Sequence, residues 1–220
     1  MIVKSQSELL DKDKTVIILF PKGLSGKYEI PNTVVSIDNI AFSNNTKITE
    51  IVIGDAVETI ATEAFKGCTS LGKVTFGKNI NTIGNSAFNN NTALTEVDLT
   101  ECTKLVSIGN NAFEDNSALT TLKLPDSVER IGSSAFRACK KLTSLETSSS
   151  LTTIGSYAFY NCTGLKTVNI KACNNAIIDT YAFSCCTALE EVTIGDGVTK
   201  IYNRIKNFVT PSVTKEWSLK

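Results

Sequence analysis

Ile131-Gly132-Ser133-Ser134-Ala135-Phe136-Arg137-Ala138-Cys139-Lys140-Lys141-Leu142 decides the fold, because variants of this stretch return at nearly fixed spacing along the 220-residue chain. Ala-Phe pairs stand at Ala41-Phe42, Ala64-Phe65, Ala87-Phe88, Ala112-Phe113, Ala135-Phe136, Ala158-Phe159 and Ala182-Phe183, at successive intervals of 23, 23, 25, 23, 23 and 24 residues. A period of this length marks a solenoid, in which each unit is too small to bury its own apolar face and must stack on its neighbours. A single elongated array follows.

Counting from each Phe exposes the rest of the unit. Six residues on stand Ile48, Leu71, Leu94, Leu119, Leu142, Leu165 and Leu189. Nine on stand Ile51, Val74, Val97, Leu122, Leu145, Val168 and Val192, and eleven on Ile53, Phe76, Leu99, Leu124, Thr147, Ile170 and Ile194. The last two rows are two residues apart, the period of a strand, so each repeat contributes one short rung to a parallel sheet with one side in the core. Tyr28-Glu29-Ile30 takes the register of Ile51-Val52-Ile53, so the array opens on a half repeat. Gly54-Asp55, Gly77-Lys78, Pro125-Asp126 and Gly195-Asp196-Gly197 then turn the chain out of the ladder. A second aliphatic pair follows, Val57 with Ile60 through Val198 with Ile201, as a short extended piece on the opposite wall. Gly84, Gly109, Gly132 and Gly155 begin a bend into a single helical turn that carries Ala-Phe, with the Phe filling the middle of the coil.

Three residues after each Phe lie Asn45, Cys68, Asn91, Asn116, Cys139, Cys162 and Cys186. Both residue types can sit buried at a turn and satisfy leftover backbone groups, Asn strongly and Cys weakly. That four of the seven cysteines share this one position points to packing with free thiols, not to a disulfide framework or a metal cage. Two places break the period: Glu101-Cys102 adds two residues, and Lys171 to Asn175 adds one. Both are expected to bulge from surface loops. Residues 1–26 are read as an N-terminal cap, with a short helical turn at Ser7 to Asp13 and a strand at Thr15 to Phe20. Residues 27–206 form the solenoid, and 207–220, with Phe208, Pro211 and Trp217, form a C-terminal cap or tail.

The row Leu-x-x-Val-x-Ile followed by Val-x-x-Ile-Gly-x-x-Ala-Phe-x-x-Cys resembles the BspA-like, or treponemal-type, leucine-rich repeat. The match spans Tyr28 to Ile201, and Leu122 through Cys139 carries it almost letter for letter. The resemblance implies a curved right-handed coil, mostly β, with a parallel sheet on its concave face and short strands and helical turns on the convex side. It also implies a cell-surface adhesin-type role, binding host matrix or other cell-surface proteins or glycans.

The exposed strand positions are the candidate concave binding face. Eight residues after the Phe, counting back into the half repeat, these are Lys27, Glu50, Lys73, Glu96, Thr121, Ser144, Thr167 and Glu191. Ten after, they are Glu29, Val52, Thr75, Asp98, Lys123, Glu146, Asn169 and Thr193. The rows mix acids and lysines and hold no aromatic and no Arg, the usual anchors of tight interfaces. Weak, polar or multivalent recognition is expected, with solubility as the plain alternative role. Lys+Arg and Asp+Glu are both 22, so no net field recruits nucleic acid. The longest apolar run, Val16 to Phe20, is far shorter than the about 20 residues a membrane span needs. His is absent, which removes the commonest general base and metal ligand, and no Gly-rich phosphate loop occurs. The reading is a non-catalytic monomer with no cofactor and no metal. The first residues lack the basic start and apolar stretch of a signal peptide. The chain is therefore expected to be a surface or secreted protein whose leader lies outside this sequence, or else a cytoplasmic scaffold. A structural spacer within a larger surface protein is the third reading.

Overall fold

The computed structural model describes residues 9–171 and 175–202. Two walls alternate along the chain. The front wall consists of Gly26–Glu29, Ile48–Val52, Lys73–Thr75, Glu96–Asp98, Thr121–Lys123, Ser144–Glu146, Thr167–Ile170 and Glu191–Ile194. The back wall consists of Leu9–Leu10, Val16–Leu19, Ser36–Ile37, Thr59–Ile60, Thr82–Ile83, Ser107–Ile108, Arg130–Ile131, Thr153–Ile154, Ala176–Ile178 and Val198–Ile201. Every strand pair is parallel except the first, Leu9–Leu10 with Val16–Leu19, which is antiparallel. Of the helical turn expected at Ser7 to Asp13, Ser7 and Glu8 lie outside the described residues, and 9–13 are a strand end followed by a tight turn. Asp11 holds that turn, its carboxylate accepting from the N–H groups of Thr15 and Val16 at 2.7 and 2.8 Å.

The back wall is continuous across ten strands, although most of them are two residues long. Its register places Ile17, Ile37, Ile60, Ile83, Ile108, Ile131, Ile154, Ile178 and Ile201 in one column. A β-branched side chain at every level suits the pleat and packs on its own kind above and below. The front wall, whose rungs are the clearer strands in the sequence, is instead split into groups of three, two and three. The pair set apart in the middle contains Glu96–Asp98, which runs into the two-residue insertion. Burial records each break. The residue eleven after the Phe is buried at Ile53, Leu99, Thr147 and Ile170, where the next coil continues the strand. It is only partly buried at Phe76, Leu124 and Ile194, where the next coil does not. Thr147, the polar exception in that row, keeps a partner by accepting from the Lys171 N–H at 3.1 Å.

Between the walls runs a column of stacked rings. Phe42, Phe65, Phe88, Phe113, Phe136, Phe159 and Phe183 follow one another with centroids 4.6–5.3 Å apart, and Phe20 adds an eighth ring 4.5 Å from Phe42. Phe20 escapes the Ala-Phe count because Leu19 precedes it, so the array has one coil more than its motif.

The turn carrying Ala-Phe is not helical, and among the described residues there is no helix. Left-handed residues stand two before the Phe (Ile40, Glu63, Ser86, Asn111, Ser134, Tyr157, Tyr181) and two after it (Asn44, Gly67, Asn90, Asp115, Ala138, Asn161, Cys185), with φ from +54° to +70°. A left-handed residue at each end stops a right-handed helix from propagating. What replaces the helical hydrogen bonds is a third ladder between coils: Ile40 N–H donates to Thr62 C=O, Phe42 N–H to Ala64 C=O and Asn44 N–H to Lys66 C=O, at 2.7–3.1 Å, and the pattern repeats up the array.

The glycines that follow the back-wall isoleucines have their own cause. A Cβ on Gly109 would fall 2.6 Å from the backbone carbonyl of Gly84, and one on Gly84 2.7 Å from the backbone of Ala61 and Thr62. They are needed because successive coils touch there, and not because a bend demands a special dihedral angle. The insertion at Glu101-Cys102 also departs from a simple surface bulge. Cys102 is buried, and its N–H donates to Leu99 C=O at 2.9 Å. The second insertion falls partly on residues outside the described set.

Candidate functional site

The front-wall strands position every expected binding residue, because alternation along each rung turns Tyr28, Ile51, Val74, Val97, Leu122, Leu145, Val168 and Val192 inward and their neighbours outward. Lys27, Glu29, Lys73, Thr75, Glu96, Lys123, Ser144, Glu146, Thr167, Asn169, Glu191 and Thr193 are exposed, while Glu50, Val52, Asp98 and Thr121 are half-buried. Register aligns them across coils: Lys27 with Glu50 and Lys73, Asp98 with Lys123, Ser144 with Thr167 and Glu191, Glu146 with Asn169 and Thr193.

These charges neutralise one another. Lys27 reaches Glu29 at 2.7 Å and Glu50 at 3.9 Å, and Lys73 reaches Glu50 at 3.5 Å. Lys123 bridges Asp98 at 2.7 Å and Glu96 at 3.2 Å, while Lys171 pairs with Glu146 at 2.9 Å. Hydrogen bonds from the ammonium of Lys27 to Glu29 and of Lys123 to Asp98 raise both lysine pKa values. Exposed pairs of this kind contribute little to stability. Among the described residues Glu191 alone of these acids has no ion-pair partner. The wall therefore grades from a dense charged lattice to a surface where the hydroxyls and amide of Ser144, Thr167, Asn169 and Thr193 stand between Glu146 and Glu191.

The Asn and Cys row is interior structure. The thiols of Cys68, Cys139, Cys162 and Cys186 donate to the carbonyls of Phe42, Phe113, Phe136 and Phe159 at 3.1–3.3 Å, and Asn116 Nδ2 does the same for Phe88 at 2.9 Å. Asn91 breaks the series, being fully buried with neither side-chain polar atom partnered. Burial pushes the Cys68 and Cys186 thiols up to about 12 and holds those of Cys139 and Cys162 well above their ordinary range. A thiol so placed is a poor nucleophile and a poor metal ligand. Among the described residues no group of His, Cys, Asp or Glu is arranged to hold a metal ion.

A model of the BspA type leucine-rich repeat region matches the chain in six copies, over residues 24–117 and 106–210. The chain belongs to the BspA-type leucine-rich repeat family. No curated protein sequence matches it. Solved structures of leucine-rich repeat proteins share the fold. A Treponema pallidum leucine-rich repeat protein is 24% identical, with a TM-score of 0.72, and the similarity covers 82% of this chain and 86% of that one. A Eubacterium ventriosum leucine-rich repeat protein is 22% identical with a TM-score of 0.60, over 86% of this chain and 50% of the other. One from Bacteroides ovatus is 24% identical with a TM-score of 0.53, over 80% and 62%. At these identities the likeness concerns fold alone. Among the described residues no helix is long and apolar enough to cross a membrane.

A second exposed surface of the BspA-type array was missed in the sequence. On the turn edge, Tyr157 and Tyr181 stack with centroids 5.1 Å apart, and Tyr160 meets Tyr157 edge-on at 5.6 Å. The Arg137 guanidinium lies 5.7 Å from the Tyr160 ring centre and pairs with Glu114 at 2.7 Å. Glu114 is buried and also accepts from Asn111 at 2.7 Å and from Asn89 at 3.1 Å. The signal was available: bulky aromatics stand two before and one after the Phe, outside every core row. These positions lie on the turns, away from the strands that present the front wall.

Proposed function

We propose that the chain is a non-catalytic interaction module that works at a cell surface, docking a matrix or cell-surface protein on its front wall. The family fold is a protein-interaction fold. The observation that carries the reading is the register of the front wall, which lines up exposed polar side chains from successive coils into a broad patterned surface. Because its ion pairs are exposed and mutually satisfied, the wall offers many weak contacts in place of one anchor, so binding gains from several arrays presented together.

Surface plasmon resonance over immobilised extracellular-matrix proteins tests this. The triple substitution of Glu96, Asp98 and Lys123 by Ala should weaken retention at least tenfold while leaving the melting temperature within a few degrees. Retention unchanged by the substitution refutes the front wall as the site, and no retention of the unsubstituted chain favours a spacer. An intracellular scaffold is the second reading, favoured by the exposed free thiol of Cys185, which suits a reducing compartment. Labelling of Cys185 on intact cells by an impermeant maleimide would decide against it.

A further inference from the structure

The turn edge carries side chains that stability does not explain. Tyr157 and Tyr181 adopt φ of +59° and +58°, yet each is 40% exposed. Left-handed backbone is costly for any residue with a Cβ and least so for Asn, Asp or Gly. Elsewhere in the same row Ser86, Asn111 and Ser134 meet that geometry with small polar side chains, and Ile40 and Glu63 meet it with larger ones. Two rings held at strained positions with much of their surface in water are a liability unless the exposure is used.

Their surroundings indicate what would use it. The only cation of the cluster, Arg137, is already neutralised by buried Glu114, yet its side chain is still 49% exposed and keeps N–H donors free. Three phenol hydroxyls border the rings, and the flanking turn positions are Ser134, Asn161 and Ser184. The exposed large aliphatic residues among those described, Ile18, Leu19, Val35, Ile40 and Val106, all lie in earlier coils. Tyr and Arg also anchor protein interfaces, but a protein partner of ordinary affinity buries about 800 Å² on each side, more than one arginine and three tyrosines, two of them 40% exposed, present to solvent. An anionic ligand would find no unpaired positive charge.

We infer that Tyr157, Tyr160, Tyr181 and Arg137 form a binding surface for a neutral polysaccharide laid along the solenoid axis, a site separate from the front wall. The apolar C–H faces of sugar rings pack on the phenol rings, and sugar hydroxyls accept from the guanidinium and exchange hydrogen bonds with the phenols. The stacking of Tyr157 on Tyr181 at coil spacing suits a polymer whose own repeat advances with the coils.

The test is affinity electrophoresis of the whole chain through gels containing soluble xyloglucan, galactomannan or mixed-linkage β-glucan, with chondroitin sulfate as the charged arm. At least one neutral polysaccharide should retard the protein. The double substitution Tyr157→Asn and Tyr181→Asn should weaken that retardation at least tenfold without lowering the melting temperature, since Asn accepts left-handed backbone. Lys123→Ala on the front wall should leave it unchanged, which separates this site from the proposed protein-docking surface. The inference fails if no neutral polysaccharide retards the chain, if the Asn variant is retarded equally, or if only chondroitin sulfate acts. It fails also if the Asn variant loses capture of a matrix protein and not of a polysaccharide, because the patch would then be a protein site.

Discussion

The two walls differ in a way their sequences invert. Front-wall rungs are longer, alternate cleanly and read at once as strands, yet their pairing is broken twice. Back-wall rungs are mostly two residues long, yet their ladder is unbroken from Leu9–Leu10 to Val198–Ile201. Strand length is therefore not what keeps the coils in register. The column of isoleucines and the ring stack recur from coil to coil, helped by glycines that let backbones touch at Gly84, Gly109, Gly132 and Gly155, whereas the front wall absorbs irregularities such as the insertion at Glu101-Cys102. That division leaves the front wall free to vary its outward side chains, as a recognition surface requires.

Five substitutions would break or sharpen this contrast. Phe136 sits in the middle of the ring stack with neighbours at 5.2 Å on both sides, and Phe136→Ala should cost about 3 to 5 kcal/mol in chemical unfolding, as large core truncations do. Gly109→Ala forces the coils of the back wall apart and should cost about 1 to 3 kcal/mol, while Gly23→Ala, with nothing near its added methyl, should cost almost nothing. Equal effects at the two glycines would remove the close-approach argument. Thiol titration probes the interior next. An acid whose pKa rises on folding keeps its proton longer in the folded state, so its stabilisation is intact below the ordinary 9.0 and is lost as pH climbs towards about 12 for Cys68. Each such thiol should contribute up to about 1.4 kcal/mol of lost stability per pH unit above that value, and Cys68→Asn should flatten the alkaline decline measured by denaturant titration at pH 8, 9 and 10. Lys123→Ala on the front wall should likewise shift stability little, by about 0.5 kcal/mol or less.

Legibility followed the same division. Period, rung positions, the Phe column and the outward rows could be read from spacing because apolar residues recur there with the single exception of Thr147. The turn could not. Ala-Phe between small residues suits one helical turn on local grounds, and only the next coil, more than twenty residues away, supplies the acceptors that favour left-handed backbone instead. Phe20 and Ile178 were hidden for a related reason: the first lacks its Ala, the second follows an insertion, and both fall into line only through long-range register. Of the candidate site, the front-wall residues lie where spacing put them, whereas Tyr157, Tyr160, Tyr181 and Arg137 share a surface only because the turns stack.

The turn ladder has one more property. In the parallel walls peptide groups face both ways and largely cancel, but in the turns the groups at Ile40, Phe42 and Asn44, and their counterparts in later coils, all send their N–H towards the next coil. Like the peptides of an α-helix, these dipoles add. A chain whose formal charges sum to zero is thus an electrically polarised rod, positive towards its last coil, and two such rods lying side by side would favour opposite headings.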